Sequence, residues 1–326
     1  MRAVTVTGPG GPEVLQWGEA PDPELGPGDV RVAVVAAGVN RADLMQRQGF
    51  YPPPPGASEI IGLECSGTVV ELGSEVTQWA IGDQVCALLS GGGYAEQVVV
   101  AAGQVMPVPL GIDLVTAAGI AEVAATVWSN VTDLSELAVE EWFLVHGGSS
   151  GIGTWAIQYA VALGAHVATT AGNAAKLETC RALGAELAVN YNDADFAQEV
   201  LAVTDGRGVD VILDTIGAKY LEPNLMALAV GGRVSTIGLL GGRSGEINLG
   251  LMLVKQATWR ATSLRGRSVQ GKSRICAGVI EAMWPMVATG AIKPIVDRVL
   301  PMSEAGLAHQ VLADSQHIGK VILTVG

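Results

Sequence analysis

The sequence predicts an α/β protein with two domains, one built on a doubly wound parallel sheet and the other rich in β-strands. The chain has 326 residues, which at roughly 150 residues per domain suggests two domains. From about residue 116, strands and helices alternate, a pattern typical of a parallel sheet with helices on both faces. The first third of the chain and its C-terminal end carry short strands instead.

The predicted β-rich domain consists of short strands separated by turns. Candidate strands are residues 30–39, 67–72 and 94–100, and strands of this length between turn residues indicate a small barrel or sandwich. Residues 49–56 lie between the first two strands. Their four prolines exclude a helix or a central strand and predict an ordered loop.

The alternating region begins with a predicted helix at residues 116–130. Predicted strands follow at residues 142–145, 166–169, 186–189, 209–214, 232–237 and 258–263, and predicted helices at residues 154–163, 174–183, 196–203, 221–228 and 271–289. Two further strands, at residues 296–301 and 320–325, flank a short helix. We therefore predict a discontinuous β-rich domain of residues 1–122 and 291–326, and a parallel-sheet domain of residues 123–290.

Charge excludes several classes of protein. The formal net charge is −13, and so acidic a chain repels nucleic acid and anionic membrane surfaces unless it carries a local basic patch. The chain has one basic cluster, composed of Arg260, Arg265, Arg267, Lys272 and Arg274. We interpret it as a solvated loop, with phosphate contact as the alternative.

Cysteine spacing and hydropathy indicate the compartment. No two of the four cysteines lie within ten residues of each other, which argues against a structural zinc site and against a secreted disulfide framework. The N-terminus has no apolar signal core, and no apolar stretch is long enough to span a bilayer. We therefore predict a cytoplasmic protein with neither a membrane nor a nucleic-acid partner.

A glycine-rich run connects the first strand of the parallel sheet to its first helix. It reads Gly148-Ser149-Ser150-Gly151-Ile152-Gly153. Glycines allow a tight turn and let the backbone approach a pyrophosphate, while the helix N-terminus offers unpaired N–H groups and the positive end of a dipole. A strand-to-helix junction that starts a series of βαβ units is the context that this motif requires. We predict that these six residues bind a dinucleotide; the alternative is a turn without a ligand.

The end of the second strand of this sheet predicts which dinucleotide is bound. NAD-selective sites place Asp or Glu there to accept from the ribose 2′-hydroxyl, whereas residues 167–173 include Thr170 and Gly172 but no carboxylate. Lys176 follows as the cation that a 2′-phosphate requires, and the phenol of Tyr191 could hydrogen-bond the same phosphate. These four residues predict NADPH; the alternative is that Lys176 and Tyr191 are surface residues.

Five segments, taken in order, resemble the quinone oxidoreductases of the medium-chain dehydrogenase/reductase superfamily. They are residues 38–49, the proline-rich residues 51–56, residues 61–64, residues 81–85 and the loop 148–153. The likeness covers essentially the whole chain and is closest to the tumour-suppressor-inducible quinone oxidoreductases. It implies a GroES-like catalytic domain and a Rossmann domain with the active site in the cleft between them. It also implies a homodimer or homotetramer joined through Rossmann sheet edges.

The resemblance also bears on metal binding. Zinc-dependent relatives carry Cys at the position of Asn40 and His at the position of Leu63, and a catalytic zinc needs about three protein ligands. Glu64 alone cannot hold the metal, and the four-cysteine lobe of those relatives is replaced by a short turn at residues 90–93. We therefore expect no metal site and no zinc-dependent alcohol oxidation.

A quinone suits a metal-free enzyme, because it accepts hydride readily and its product is aromatic. Asn40 could donate its amide to the quinone oxygen, or cap a turn. Tyr51 could donate its hydroxyl, or only pack against the proline loop. Asp43 resembles a family cleft position, but could instead fix the loop at Arg41. The resemblance implies further cofactor contacts from Ile216, Gly217, Ile237, Gly238, Leu239, Ser263, Arg265 and Lys320.

Three functions remain open from the sequence. The first is an NADPH-dependent quinone reductase. The second is an enoyl-thioester or enone reductase on the same scaffold, with Tyr51 as a candidate proton donor. The third is a non-catalytic NADPH-binding protein, comparable to the lens crystallins recruited from this family.

Overall fold

Contacts along the chain divide the structure, a computed structural model that describes residues 1–326, into two compact units. The first unit contains Met1–Ala125, Leu264–Thr289 and Pro294–Gly326. The second contains Thr126–Ser263 and Gly290–Lys293. Each unit is built around its own sheet.

Fifteen strands build the sheets. They are β1 Arg2–Val6, β2 Leu15–Glu19, β3 Asp29–Gly38, β4 Glu64–Leu72, β5 Gln84–Leu88, β6 Gln97–Ala101, β7 Val105–Pro107, β8 Trp142–His146, β9 His166–Ala171, β10 Leu187–Asn190, β11 Val209–Asp214, β12 Leu228–Thr236, β13 Thr258–Ala261, β14 Val296–Pro301 and β15 Lys320–Thr324. Each predicted strand overlaps one of these.

Eleven α-helices accompany them. They are α1 Arg41–Arg47, α2 Leu114–Ala117, α3 Ala121–Val127, α4 Gly151–Ala162, α5 Ala174–Ala182, α6 Phe196–Val203, α7 Leu221–Ala227, α8 Leu249–Lys255, α9 Val269–Ala282, α10 Trp284–Ala288 and α11 Ala305–Ala313. None of them combines the length and the apolarity that a bilayer-spanning helix needs.

The sheet of the second unit has six parallel strands in the order β10-β9-β8-β11-β12-β13. The chain enters at the centre with β8, adds β9 and β10 on one side, and then adds β11, β12 and β13 on the other. Helices α4 to α8 lie in the crossovers. This is the doubly wound Rossmann order, in which ligands bind at the carboxyl ends of the strands where the order reverses, here between β8 and β11. The predicted parallel sheet is confirmed.

Apolar strands and glycine caps explain this arrangement. β11 is buried along its whole length, as expected of a parallel strand covered on both faces. Helices α4 and α5 are followed by Gly164 and Gly184, whose φ angles of 80° and 107° are left-handed. Glycine adopts this conformation without strain, and it ends both helices so that the chain can return to the sheet.

The first unit contains a seven-stranded sheet and the antiparallel pair β1–β2. Its strands run in the order β14-β15-β3-β4-β5-β7, with β6 also paired to β3. All neighbours are antiparallel except β14 and β15. Val32, Val69, Val85 and Leu323 belong to its hydrophobic core. The β-rich character predicted for the first part of the chain is therefore confirmed.

Helices α9 and α10 differ from the predicted domain division. The sequence assigned residues 271–289 to the parallel-sheet domain, whereas contacts place them in the first unit. The reason is packing, since α9 lies against β7 and against the short 3₁₀ turn Ala102–Gln104. The indole N–H of Trp284 also donates to the carbonyl of Pro107 at 2.7 Å. The predicted boundaries at residues 122 and 290 remain predictions.

The single helix predicted at residues 116–130 is wrong, because α2 and α3 are separate and a π-helical turn, Trp128–Leu134, follows them. Gly119 lies at the interruption. A Cβ there would lie 2.9 Å from Ile322 Cδ1 and 3.2 Å from Lys320 Cβ. The missing side chain therefore lets β15 pass close to this break and brings Lys320 next to the start of α3.

Candidate functional site

A buried ion pair joins the first residues of two strands in the first unit. Glu64 begins β4 and is fully buried, and Lys320 begins β15 and is 6% exposed. Lys320 Nζ lies 2.6 Å from Glu64 Oε1 and also donates to the carbonyl of Val39 at 3.2 Å. The contacts of the Lys320 ammonium lie within the first unit; the cofactor contact that the resemblance implies for it stays a prediction.

Asn40 completes this ion pair from the turn between β3 and α1. Its Nδ2 donates to Glu64 Oε1 at 2.9 Å, and its Oδ1 accepts from Lys320 Nζ at 2.7 Å. A second, longer contact joins Nδ2 to the carbonyl of Gly38 at 3.4 Å. One N–H of the amide is therefore committed to Glu64, and donation to a substrate oxygen depends on the N–H that makes the long contact.

Asp43 is fully buried, which favours the alternative that it fixes the loop at Arg41; a catalytic role stays a prediction. Its Oδ2 accepts from the backbone N–H of Asn40 at 2.7 Å and from the hydroxyl of Tyr94 at 3.1 Å. This is the backward half of a capping box, which fixes the first turn of α1. Oδ1 has no hydrogen-bond partner, and burial raises the pKa of Asp43 to about 7. The hydrogen bonds of this side chain therefore lie within the fold of the first unit.

The buried polar chain continues from Asp43 to α11. The hydroxyl of Tyr94 lies 3.3 Å from Nε2 of His309, and Nη1 of Arg47 lies 3.4 Å from its Nδ1. Burial, reinforced by the charge of Arg47, lowers the pKa of His309 to about 3. His309 is therefore neutral and ties α11 to α1.

Glu122 is a site residue that the sequence analysis missed. It lies in the first turn of α3, half-buried, and its backbone N–H donates to Glu64 Oε2 at 2.9 Å. Burial, followed by the charge of Glu64, raises its pKa to about 8. One feature of the sequence could have indicated it: Glu122 is the only charged residue between residues 114 and 132.

The basic cluster at the C-terminal side of β13 is not a solvated loop, because Arg265 and Lys272 are buried. Arg265 donates to the carbonyls of Ser90 and Tyr51 at 2.8 and 3.0 Å and to Gln46 Oε1 at 2.7 Å. Its guanidinium carbon lies 5.2 Å from the ring centroid of Tyr51. These contacts hold the proline-rich loop and the half-buried Tyr51 in place, and the cofactor contact expected of Arg265 stays a prediction. Lys272 donates to the hydroxyl of Ser90.

In the second unit, the predicted loop connects β8 to α4, at the reversal of strand order. A Cβ at Gly148 would lie 2.1 Å from Thr169 Oγ1, and a Cβ at Gly153 would lie 2.3 Å from the carbonyl of Gly147. Both positions therefore require glycine for the loop to pack on β9 and on itself. The loop forms a cradle of backbone that a side chain would fill.

The first turn of α4 presents N–H groups at this cradle. Ser150 is the N-cap, and its Oγ accepts from the N–H of Gly153 at 3.0 Å. Gly151 and Ile152 are the first two residues of the helix. Their N–H groups therefore have no helical carbonyl four residues earlier to bond and lack an intrahelical partner. With Ser149 beside them, they form the kind of helix N-terminus that binds a phosphate.

Thr170 lies beneath the loop and is 1% exposed; its expected cofactor contact stays a prediction. Its Oγ1 accepts from the N–H of Gly147 at 3.4 Å and lies 3.2 Å from Nδ1 of His146. His146 is fully buried and bonds the amide oxygen of Asn224 through Nε2 at 2.8 Å. Both side chains support the loop from the core.

The other residues predicted to select the dinucleotide lie together at the end of β9. The hydroxyl of Tyr191 comes within 2.4 Å of where a Cβ on Gly172 would be. Tyr191 is 48% exposed. Lys176 lies in the first turn of α5, where its backbone N–H donates to the N-cap Asn173 at 3.0 Å. A phenol and a cation therefore surround a strand end that carries no acid.

The remaining expected contacts follow β11, β12 and β13. Ile216 and Gly217 both donate their N–H groups to Asp214 Oδ1, at 2.8 and 3.1 Å, which fixes the turn after β11. Gly238 lies against this turn, since a Cβ there would be 2.8 Å from the carbonyl of Thr215. The other expected contacts in this region are Ile237, Leu239 and Ser263.

Comparison with known proteins shows the family to which the chain belongs. Residues 26–110 match the alcohol dehydrogenase GroES-like domain, and residues 151–282 match the zinc-binding dehydrogenase family. The chain is 31% identical to the quinone oxidoreductase of Pseudomonas aeruginosa over 96% of each sequence. It is a member of the quinone oxidoreductase family of the medium-chain dehydrogenases/reductases. The narrower likeness to the tumour-suppressor-inducible enzymes stays a prediction.

Other similar proteins carry different names. The chain is 30% identical to the 2-haloacrylate reductase of a Burkholderia species, over 99% of this chain and 98% of that protein. It is also 31% identical to a segment that makes up 13% of a phenolphthiocerol/phthiocerol polyketide synthase subunit of Mycobacterium tuberculosis. Function therefore varies among proteins equally similar to this chain.

Two solved structures match nearly the full length. The quinone oxidoreductase of Escherichia coli complexed with NADPH has a TM-score of 0.89 at 28% identity, covering 99% of this chain and 100% of that one. An NAD-dependent alcohol dehydrogenase has a TM-score of 0.88 at 33% identity, covering 100% of both chains.

The side chains do not fit the zinc ion that the name of one matched family implies. Asn40 and the buried Leu63 occupy the expected ligand positions, and Glu64 is paired with Lys320. No group of three His, Cys, Asp or Glu side chains could hold a metal ion. The four cysteines are free and buried.

Replacing Asp43 by Asn should change how stability depends on pH. The pKa of Asp43 is raised from 3.8 to about 7 in the folded protein. The contribution of Asp43 to the free energy of unfolding is therefore fully present below about pH 4 and is lost as the pH rises through 7. We expect the wild type to lose up to about 4 kcal/mol of unfolding free energy relative to Asp43→Asn across this range, measured by urea unfolding. If the unfolding free energies of wild type and Asp43→Asn changed in parallel with pH, the raised pKa of Asp43 would be contradicted. The exposed Asp205→Asn serves as the matched control.

Proposed function

We propose that this protein is an NADPH-dependent quinone reductase that works without a metal ion. Two features of the structure carry the proposal, the phosphate-binding loop and the residues at the zinc-ligand positions. The phosphate cradle of the second unit is intact, while the zinc-ligand positions hold Asn40 and Leu63, a carboxamide and an apolar side chain. The similar quinone oxidoreductases of Pseudomonas and E. coli support it.

The dinucleotide would be held by the loop from Gly148 to Gly153, whose N–H groups suit a pyrophosphate. Lys176 and Tyr191 would bind the 2′-phosphate, and the absence of an acid at the end of β9 favours NADPH over NADH. Bound NADPH supplies a hydride. Because the chain is also similar to an NAD-dependent alcohol dehydrogenase, its preference for NADPH over NADH has to be tested.

The residues of the first unit would act on the substrate. A quinone needs little Lewis-acid help, so the protein has mainly to position it and to stabilise the negative charge that develops on oxygen. The remaining N–H of Asn40 and the hydroxyl of Tyr51 are the donors offered for that charge. Arg265 fixes the Tyr51 loop, so the position of this donor is set by the fold.

Reduction of an activated carbon–carbon double bond is the second candidate. The full-length similarity to 2-haloacrylate reductase favours it. The same hydride donor would be used, but the second proton would have to reach a carbon atom. Reduction of a double bond therefore depends more strictly on a proton donor than reduction of a quinone does.

We further propose a homodimer joined through the edge strand β13. Helix α8 has no buried residue, and its Leu249, Leu253 and Val254 are 66, 79 and 71% exposed. A helix with so large an apolar surface is typical of an interface. The cytoplasmic location predicted from the sequence is part of this proposal, since free cysteines suit a reducing compartment.

The function is tested by following NADPH oxidation in purified, chelator-dialysed protein. We expect turnover with 1,4-benzoquinone and 1,4-naphthoquinone that exceeds turnover with 2-chloroacrylate or a crotonyl thioester. Faster reduction of the last two would favour the second candidate. NADPH binding without any turnover would contradict both.

Lys176→Ala should weaken selectivity for NADPH. Removing the cation should raise the Michaelis constant for NADPH by on the order of tenfold, with little change for NADH, because only NADPH carries the 2′-phosphate. Steady-state kinetics with both dinucleotides measure this. Lys293→Ala removes an exposed lysine of the same unit and should change neither value. Equal effects of Lys176→Ala on both dinucleotides would disprove the assignment.

Leu253→Glu should convert the proposed dimer into monomers, because it places a charge in the apolar surface of α8. Sedimentation velocity over a range of concentrations measures the mass. Leu307→Glu alters another exposed leucine, on α11, and should leave the dimer intact. A monomeric wild type, or a dimeric Leu253→Glu variant, contradicts this interface.

A further inference from the structure

The carboxylate of Glu64 brings Asn40 and Glu122 together from two different helices. Its Oε1 accepts from Asn40 Nδ2, and its Oε2 accepts from the backbone N–H of Glu122, both at 2.9 Å. Because both oxygens belong to one carboxylate, the N-terminal ends of α1 and α3 are held side by side. Asn40 and Glu122 are half-buried, whereas Glu64 is fully buried.

Exposure separates these two residues from the rest of the network. Lys320 is 6% exposed and Asp43 is fully buried, so neither is open to a bound molecule. Asn40 offers an N–H donor. Glu122 offers a carboxyl group whose side chain takes part in none of the hydrogen bonds of the Glu64–Lys320 pair. An amide and a carboxyl group are therefore the accessible members of one buried cluster.

We propose that Glu122 is the proton donor of the reductase, which carries a proton on its carboxyl group and transfers it to the substrate. This inference rests on the function proposed above. A quinone that gains a hydride becomes a hydroquinone monoanion. The O–H bond of Glu122 then breaks as the second O–H bond of the hydroquinone forms. The quinone has gained two electrons from the dinucleotide, and the Glu122 carboxylate regains its proton from water.

The charges around Glu122 suit this role. Glu64 on β4 and Asp43 on α1 favour the protonated form, whereas Lys320 on β15 and Lys272 on α9 oppose it. Burial is the largest influence, and the resulting pKa is about 8. The carboxyl group is therefore protonated at neutral pH and can still release its proton. A general acid is most effective when its pKa lies close to the working pH.

Asp43 is the nearest competitor for this role, and burial excludes it. Its pKa is also raised, to about 7, but it is fully buried and its Oδ2 is held by Asn40 and Tyr94. Glu122 is half-buried and therefore less enclosed than Asp43. For reduction of a double bond, the same proton would go to carbon.

The kinetic test compares wild type, Glu122→Gln, Glu122→Asp and the exposed control Glu199→Gln, which lies on α6. We expect the wild-type kcat to fall as the pH rises through about 8, the pKa of Glu122. Glu122→Gln should lower kcat on the order of 100-fold, abolish this pH dependence and leave the affinity for NADPH unchanged. Glu122→Asp should restore part of the rate. A Glu122→Gln variant with the wild-type kcat and pH profile overturns the proposal.

A second readout needs neither dinucleotide nor substrate. The infrared difference spectrum of wild type minus Glu122→Gln at pH 7 should contain the carbonyl band of a protonated carboxylic acid, and this band should vanish above pH 9. If Glu122→Gln fails to fold, Glu122→Ala takes its place in the difference spectrum. A spectrum without that band overturns the proposal even in an active enzyme. A band in a protein that reduces no quinone overturns only the quinone assignment.

Discussion

The ion pair between Glu64 and Lys320 is the interaction on which the first unit depends. It joins the start of β4 to the start of the C-terminal strand β15, and Asn40 and the backbone of Glu122 bind the same carboxylate. Removing one partner of a buried pair leaves an uncompensated charge, which costs about 3–5 kcal/mol. The pair therefore fixes the position of the C-terminal strand and of both half-buried polar side chains.

The same ion pair bears on the proposal that the enzyme works without zinc. In a zinc-dependent relative a metal would supply the positive charge next to the substrate. Here the ammonium of Lys320 neutralises Glu64, and Leu63 provides no ligand. Under the proposal, the groups left to interact with a substrate are neutral, the amide of Asn40 and the carboxyl of Glu122. Such groups suit an acceptor that is already electrophilic.

The sequence predicted the second unit better than the first. Strands and helices of the Rossmann sheet alternate locally, and Gly148 and Gly153 belong to a short motif at a strand-to-helix junction, so both can be derived from periodicity and motif. The break at Gly119 depends on β15, which is about 200 residues away in sequence. Likewise, nothing local reveals that Asp43 and Arg265 are buried, or that burial and then the charge of Glu64 raise the pKa of Glu122. These errors share one cause, which is contact between distant parts of the chain.

Catalysis by direct hydride transfer without a metal is the central claim. It is tested most directly by reducing a quinone with NADPH that carries deuterium at the transferable position of C4, using protein dialysed against a chelator. The account predicts that activity survives dialysis and that deuterium slows the single-turnover rate severalfold. Activity that is lost on dialysis and restored by zinc, or a rate that deuterium does not change, would contradict it.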